Sequence, residues 1–159
     1  LEFRRVLFRS IGYRPRQVVA RVRQIHRTQD HLDRARLNAS ARGPVAFVDV
    51  ETTGGHPAWH RITEIAIIGM QDGRIEWRWS SLVNPGVTIP PSIQNLTGIS
   101  NEMVADAPPF ERIAPQVLER LAGRRFVAHN VRFDYGFVRA ELRRAGHAYS
   151  APLACTVRL

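Results

Sequence analysis

The chain has 159 residues, 44% of them hydrophobic, and no apolar run near the ~20 residues of a membrane-spanning helix, so it has room for one globular core. Its net charge of +9 is carried by arginine alone and is lopsided: residues 1–44 hold eleven arginines against three acids, residues 45–159 twelve against eleven. A single cysteine, Cys155, excludes an internal disulfide and fits a reducing cytoplasm, where we expect the protein to work.

Leu1 to Ser10 (LEFRRVLFRS) back-translates to a DNA string similar to a common sequencing-library adapter, so these residues are expected to stand outside the fold. The first methionine is Met70, well inside the orderly part of the sequence, and the chain is expected to be a fragment. Residues 11–44 form a basic extension. Val18, Val22, Ile25, Gln29 and Leu32 follow a loose helical spacing, so Arg16–Asn38 reads as one amphipathic helix laid against DNA phosphates, as a solvated linker helix, or as upstream DNA translated in frame. Arg42-Gly43-Pro44 marks the boundary of a domain expected over residues 45–159.

From there the pattern becomes regular. VAFVDV (Val45–Val50) is a short β-branched run that reads as a buried strand, and Arg61–Met70 is a second, closed by the Asp72-Gly73 turn. Ile75, Trp77 and Trp79 alternate with Glu76, Arg78 and Ser80, predicting a third strand whose tryptophans pack into the core. Asn84–Pro91 reads as a loop, Ser100 with Glu102 starts a short helix, and Phe110–Leu121 is a longer one. Arg125–His129 is a fourth strand, a helix runs from Asn130 to about Ala145, and Leu153–Val157 starts a fifth strand. Three strands followed by alternating helix and strand predict an α/β fold, a mixed sheet covered by helices.

Two acids stand one residue apart at the end of the first run, Asp49 and Glu51, just before Thr52-Thr53-Gly54-Gly55. Residues two apart on a strand share a face, and close carboxylates repel unless a cation sits between them. Hard oxygen donors of this kind suit Mg²⁺ or Mn²⁺. Ala128–Phe137 (AHNVRFDYGF) repeats the layout: a strand, a polar break, then a helix with Asp134 in its first turn. His56 and His60 read as solvated loop residues, and Arg124, Arg125, Arg132, Arg139, Arg143 and Arg144 as either a phosphate track or a solvated face.

Asp49-Val50-Glu51-Thr52-Thr53-Gly54, Arg61-Ile62-Thr63-Glu64-Ile65, Leu96-Thr97-Gly98-Ile99 and His129-Asn130-x-x-Phe133-Asp134 occur in the order found in the DEDD exonucleases. Over Val45–Leu159 the chain resembles this family, typified by the epsilon proofreading subunit of bacterial DNA polymerase III. The resemblance implies a ribonuclease H-like fold and stepwise 3′→5′ removal of nucleotides with two divalent cations, Mg²⁺ or Mn²⁺. Asp49, Glu51 and Asp134 would be three of the four metal-binding catalytic acids. Thr52, Leu96, Thr97, Gly98 and Ile99 would touch the terminal nucleotide, with Asn130 lining the site. The family's general-base histidine and fourth acid belong to a third motif, expected beyond Leu159.

The implied partner is a DNA 3′ end, single-stranded or frayed, in a proofreading or repair setting, with no membrane involved. An RNA-directed member of the family, and a binding module that cleaves nothing, remain as alternatives. DNA polymerase III subunits, or a fused repair nuclease domain, would be protein partners. Without the final helices of the family fold the sheet would expose an apolar face, so residues 45–159 alone are expected to be marginally stable and to cleave little.

Overall fold

The computed structural model describes residues 43–156. The adapter-like segment and the expected helix over Arg16–Asn38 therefore lie outside the described residues, as does the end of the fifth strand at Val157.

Nine elements follow in chain order: β1 (Pro44–Thr52), β2 (Ile62–Gln71), β3 (Arg74–Leu82), α1 (Pro91–Thr97), α2 (Asn101–Ala105), α3 (Phe110–Leu121), β4 (Arg125–Ala128), α4 (Val131–Arg144) and β5 (Leu153–Cys155). The five strands form one sheet in the order β3-β2-β1-β4-β5. β1 to β3 are an antiparallel meander, and β4 and β5 add in parallel on the other side of β1. This is the mixed sheet flanked by helices that the sequence pattern predicts.

Alternation along β1 divides the sheet. Ala46, Val48 and Val50 belong to the main core with Ile65 and Ile67 of β2, and α3 and α4 cover them with Ile113, Val117, Phe137 and Val138. Burying side chains of this size is worth about 1.5–3 kcal/mol each, which is why α3 and α4 hold to this face. Phe47, Asp49 and Glu51 then point to the opposite face. Trp77 and Trp79 pack on the core side as expected. Gly69 makes room for one of them, since a Cβ there would come within 2.3 Å of the Trp77 ring.

Arg124 is not part of a solvated face. Its guanidinium lies 5.2 Å from the Trp77 ring centre, donates to Glu76 at 2.7 Å and to the Met70 carbonyl at 3.1 Å. It clasps the β2–β3 hairpin from the turn before β4. The sequence also gives no sign of α1, which is too short for its periodicity to register. Pro91 presets its first turn and Gly98, at φ 76°, ends it. Ser100 caps α2 as predicted, its hydroxyl accepting from Met103 N–H at 3.3 Å.

A second, smaller core of Ile89, Ile99 and Val104 packs against Leu82. Leu82 stands opposite Glu64 in the β2–β3 ladder, so this cluster seats the α1–α2 segment on the sheet face that carries the acids.

Candidate active site

The site forms where β1 outruns its parallel neighbour. Pairing of β1 with β4 ends at Phe47–Val127, and the chain leaves β4 through only two residues, His129 and Asn130. Asn130 makes that turn in the left-handed region at φ 63°, a conformation asparagine tolerates better than most residues. The turn sets the first helical turn of α4 beside the unpaired end of β1. There the fully buried Asp134 accepts a hydrogen bond from the Val50 backbone N–H at 3.2 Å. Asp134 thereby continues the ladder that β4 has abandoned, and it is held beside the residue that separates Asp49 from Glu51.

Asp49 and Glu51 are both half-buried. The β1–β2 register adds an acid that sequence reasoning passed over: Glu64 lies directly opposite Glu51. Three carboxylates, Asp49, Glu51 and Glu64, thus share one sheet face. Like charges facing each other across a strand pair are destabilising, so the arrangement favours a cation. The only signal in the sequence was Glu64 itself, in Arg61-Ile62-Thr63-Glu64-Ile65; its position depends on where the bulge at Glu51/Thr52 falls.

Among the described residues no three His, Cys, Asp or Glu side chains close into a ready-made metal cage. The donor chemistry nonetheless fits Mg²⁺ or Mn²⁺. Mg²⁺ commonly binds through one or two carboxylates with waters and substrate phosphates completing its shell. Asp49 and Glu51 offer hard oxygens on one face, with Asp134 anchored alongside.

The other expected contacts divide by exposure. Leu96 is 43% exposed and Asn130 is exposed. The Thr52 hydroxyl donates to the Gly54 carbonyl at 2.7 Å, and the Thr97 hydroxyl donates to the Ile93 carbonyl at 2.9 Å. Ile99 is buried in the smaller core, and Gly98 supplies the left-handed cap of α1. Thr52, Thr97 and Ile99 therefore shape the backbone around the site, while Leu96 and Asn130 present side chains to solvent.

His60 is not a free loop residue. Its ring fills the space beneath Gly54, where a Cβ would come within 2.4 Å of it, and its Nδ1 lies 3.4 Å from the Thr53 hydroxyl. His56 is exposed, and its Nδ1 accepts from Ala58 N–H at 3.2 Å. His129, one residue past the end of β4, has its Nδ1 3.0 Å from the Thr156 hydroxyl.

A buried ion pair braces this region. Glu141 of α4, 1% exposed, receives Arg61 Nε at 2.8 Å and Nη2 at 3.0 Å, together with Ile62 N–H at 3.2 Å. Hydrogen bonding to Glu141 raises the Arg61 pKa above its ordinary value despite partial burial. The start of β2 is thus fastened to the same helix that carries Asp134.

Comparison with known proteins agrees with this geometry. The profile of the exonuclease family RNase_T matches residues 46–159. The 3′-5′ exonuclease DinG of Bacillus subtilis (strain 168) is 48% identical over 100 residues, covering 62% of this chain and 11% of DinG. The PolC-type DNA polymerase III of Clostridium perfringens (strain 13 / Type A) is 36% identical over 111 residues, covering 70% of this chain and 8% of the polymerase. Among solved structures, exonuclease X in complex with 5′ overhanging duplex DNA superposes with a TM-score of 0.55 at 31% identity, covering 70% of this chain and 59% of exonuclease X. This chain therefore spans about a tenth of the length of those two curated relatives. Its strand order, its paired acids on β1 and the match over nearly all of the described residues place the chain in this exonuclease family, with the ribonuclease H-like fold expected of it.

Proposed function

We propose that the chain is the catalytic domain of a 3′→5′ exonuclease that shortens DNA by metal-dependent phosphodiester hydrolysis. The observation that carries this reading is the hydrogen bond from Val50 N–H to Asp134, which fixes a carboxylate from α4 beside Asp49 and Glu51. Asp49 and Glu51 would hold the cations from the sheet face, and Asp134 from the helix side. When bound, divalent ions would supply the charge that stabilises the attacking and leaving oxygens of an in-line phosphodiester displacement. Leu96 and Asn130, both with exposed side chains, are available to orient the terminal nucleotide. The rigid Asp134–Val50 contact keeps the acids from drifting apart as substrate enters, which counts because small misplacements are costly in such sites.

DNA is the favoured substrate because exonuclease X, which shares this fold at 31% identity, is described in complex with DNA. A replication or repair setting, with polymerase subunits as partners, is supported by the PolC-type and DinG relatives. The test is a 5′-labelled single strand offered with Mg²⁺ to the full-length protein that carries this domain, since residues 45–159 alone are expected to cleave little. The ladder should shorten one nucleotide at a time, and Asp49→Ala should abolish it while the fold persists. Unchanged shortening by Asp49→Ala would remove the site assignment.

A further inference from the structure

Trp59 is 80% exposed, the most exposed of the large hydrophobic side chains described. It stands on the loop of residues 54–60, which leaves β1 directly after Glu51-Thr52-Thr53. An exposed indole is common enough on a floppy segment, but this loop is tied down at each end and along its length. Thr53 N–H donates to the Arg61 carbonyl at 2.9 Å and Arg61 N–H returns to the Thr53 hydroxyl at 3.1 Å, closing the loop at its base. Inside it, the His56 carbonyl accepts from Trp59 N–H at 3.1 Å and from His60 N–H at 3.0 Å. The backbone that carries Trp59 is therefore fixed, while its ring is left in water.

The loop also lies along α4. Pro57 faces Gly136, where an added Cβ would sit 3.7 Å from the proline ring, and Arg144 donates to the Pro57 and Ala58 carbonyls. Gly136 shares a helical face with Arg132, Arg139 and Arg143, all three exposed. The loop that carries the exposed Trp59 ring is thus seated along the helix whose first turn supplies Asp134 and whose exposed arginines share the face of Gly136. Exposed aromatics next to a cationic track are what unpaired nucleobases stack upon, because every base offers a π-face and its phosphates seek the arginines.

We propose that Trp59 is a stacking platform for an unpaired base of the substrate strand, with the Arg132–Arg143 face of α4 following that strand's phosphates. The proposal rests on the nuclease reading above. Paired bases in a duplex do not offer their faces, so the platform selects single-stranded or frayed ends over blunt ones.

The test is fluorescence anisotropy with the whole chain and a phosphorothioate-linked oligothymidylate, which resists cleavage, in Mg²⁺ buffer, beside a blunt duplex of the same length. Stacking worth about 1–3 kcal/mol per base corresponds to a loss of roughly five- to 140-fold in single-strand affinity for Trp59→Ala, while Trp59→Phe stays near the unaltered chain. The exposed position makes both variants fold normally, which their thermal unfolding would verify. Equal single-strand affinity for Trp59→Ala and the unaltered chain overturns the platform and leaves the nuclease reading standing. An equal loss on single strand and blunt duplex also overturns it. No binding of either nucleic acid by the unaltered chain overturns the nuclease reading and the platform together.

Discussion

Asp134 lies 84 residues beyond Val50 in sequence, yet its carboxylate receives the Val50 backbone N–H at 3.2 Å, at the point where β1 has lost its parallel partner. One oxygen of the proposed metal-binding acid is thereby committed to holding the sheet together. Structure and chemistry should therefore separate on substitution. Asp134→Ala leaves a buried donor without its acceptor, and we expect a loss of ~1–3 kcal/mol in stability together with loss of cleavage. Asp134→Asn keeps an acceptor oxygen and should fold closer to the unaltered chain while losing the charge that a cation needs. Thermal unfolding of both variants, each with and without Mn²⁺, checks this: a variant still stabilised by Mn²⁺ as strongly as the parent would contradict the role given to Asp134.

Asp49 and Glu51 stand on the face opposite Ala46, Val48 and Val50, away from the main core. With Glu64 opposite Glu51, removing one acid relieves like-charge repulsion. Asp49→Ala or Glu51→Ala should leave the unfolding midpoint in metal-free buffer unchanged or slightly higher. Both should lower affinity for Mg²⁺ or Mn²⁺ at least tenfold by calorimetric titration, and both should stop nucleotide release. A marked fall in metal-free stability would show these acids to be structural instead.

Much of this arrangement was legible before any coordinates. Period-two alternation put Asp49 and Glu51 on one face, the Pro-Gly and Asp-Gly punctuation bounded β1 to β3, and Ser100 announced α2 by its cap. These are local signals, written within a few residues of the feature they predict. What escaped was long-range. Glu64 became part of the acidic face only through the register of β1 against β2, which a bulge sets. Arg124 looked like one more surface arginine until Trp77, Glu76 and the Met70 carbonyl closed around it. Glu141 sits in a run of charged residues, and nothing nearby marks it for burial. Its partner, Arg61, is 80 residues away. Residues whose environment comes from a distant strand leave no periodicity to read.

Glu141 gives a further prediction. It is 1% exposed, accepts hydrogen bonds from Arg61 and Ile62 N–H, and forms an ion pair with Arg144 at 3.5 Å. Breaking a buried pair from one side strands the remaining charge, which costs ~3–5 kcal/mol where both partners are buried. Arg61 retains 26% exposure, so the lower end of that range applies to Glu141→Ala. Because Arg61 also closes the loop that carries Trp59, the variant should protect amides near residues 53–62 less well in hydrogen exchange, in addition to unfolding at lower denaturant. Loss of stability with unchanged exchange in that loop would show that the ion pair acts on α4 alone.

The last prediction concerns alkaline pH. Tyr149 packs on Tyr135 at 5.9 Å, which in turn meets Phe126 edge-on at 5.4 Å. Burial pushes the Tyr149 pKa well above the ordinary phenol value, with a smaller contribution in the same direction from Tyr135. In the unfolded chain the phenol titrates near pH ~10. Above that, the unfolded form sheds a proton that the folded form keeps, so unfolding is progressively favoured as pH rises. The stabilisation tied to Tyr149 is thus complete below pH ~10 and falls away beyond it. Tyr149→Phe has no proton to lose, so its unfolding midpoint should decline less steeply than the parent's between pH ~9 and ~11. Parallel slopes for the two proteins would mean that Tyr149 titrates alike in both states and that its ring is less enclosed than the Phe126–Tyr135–Tyr149 stack requires.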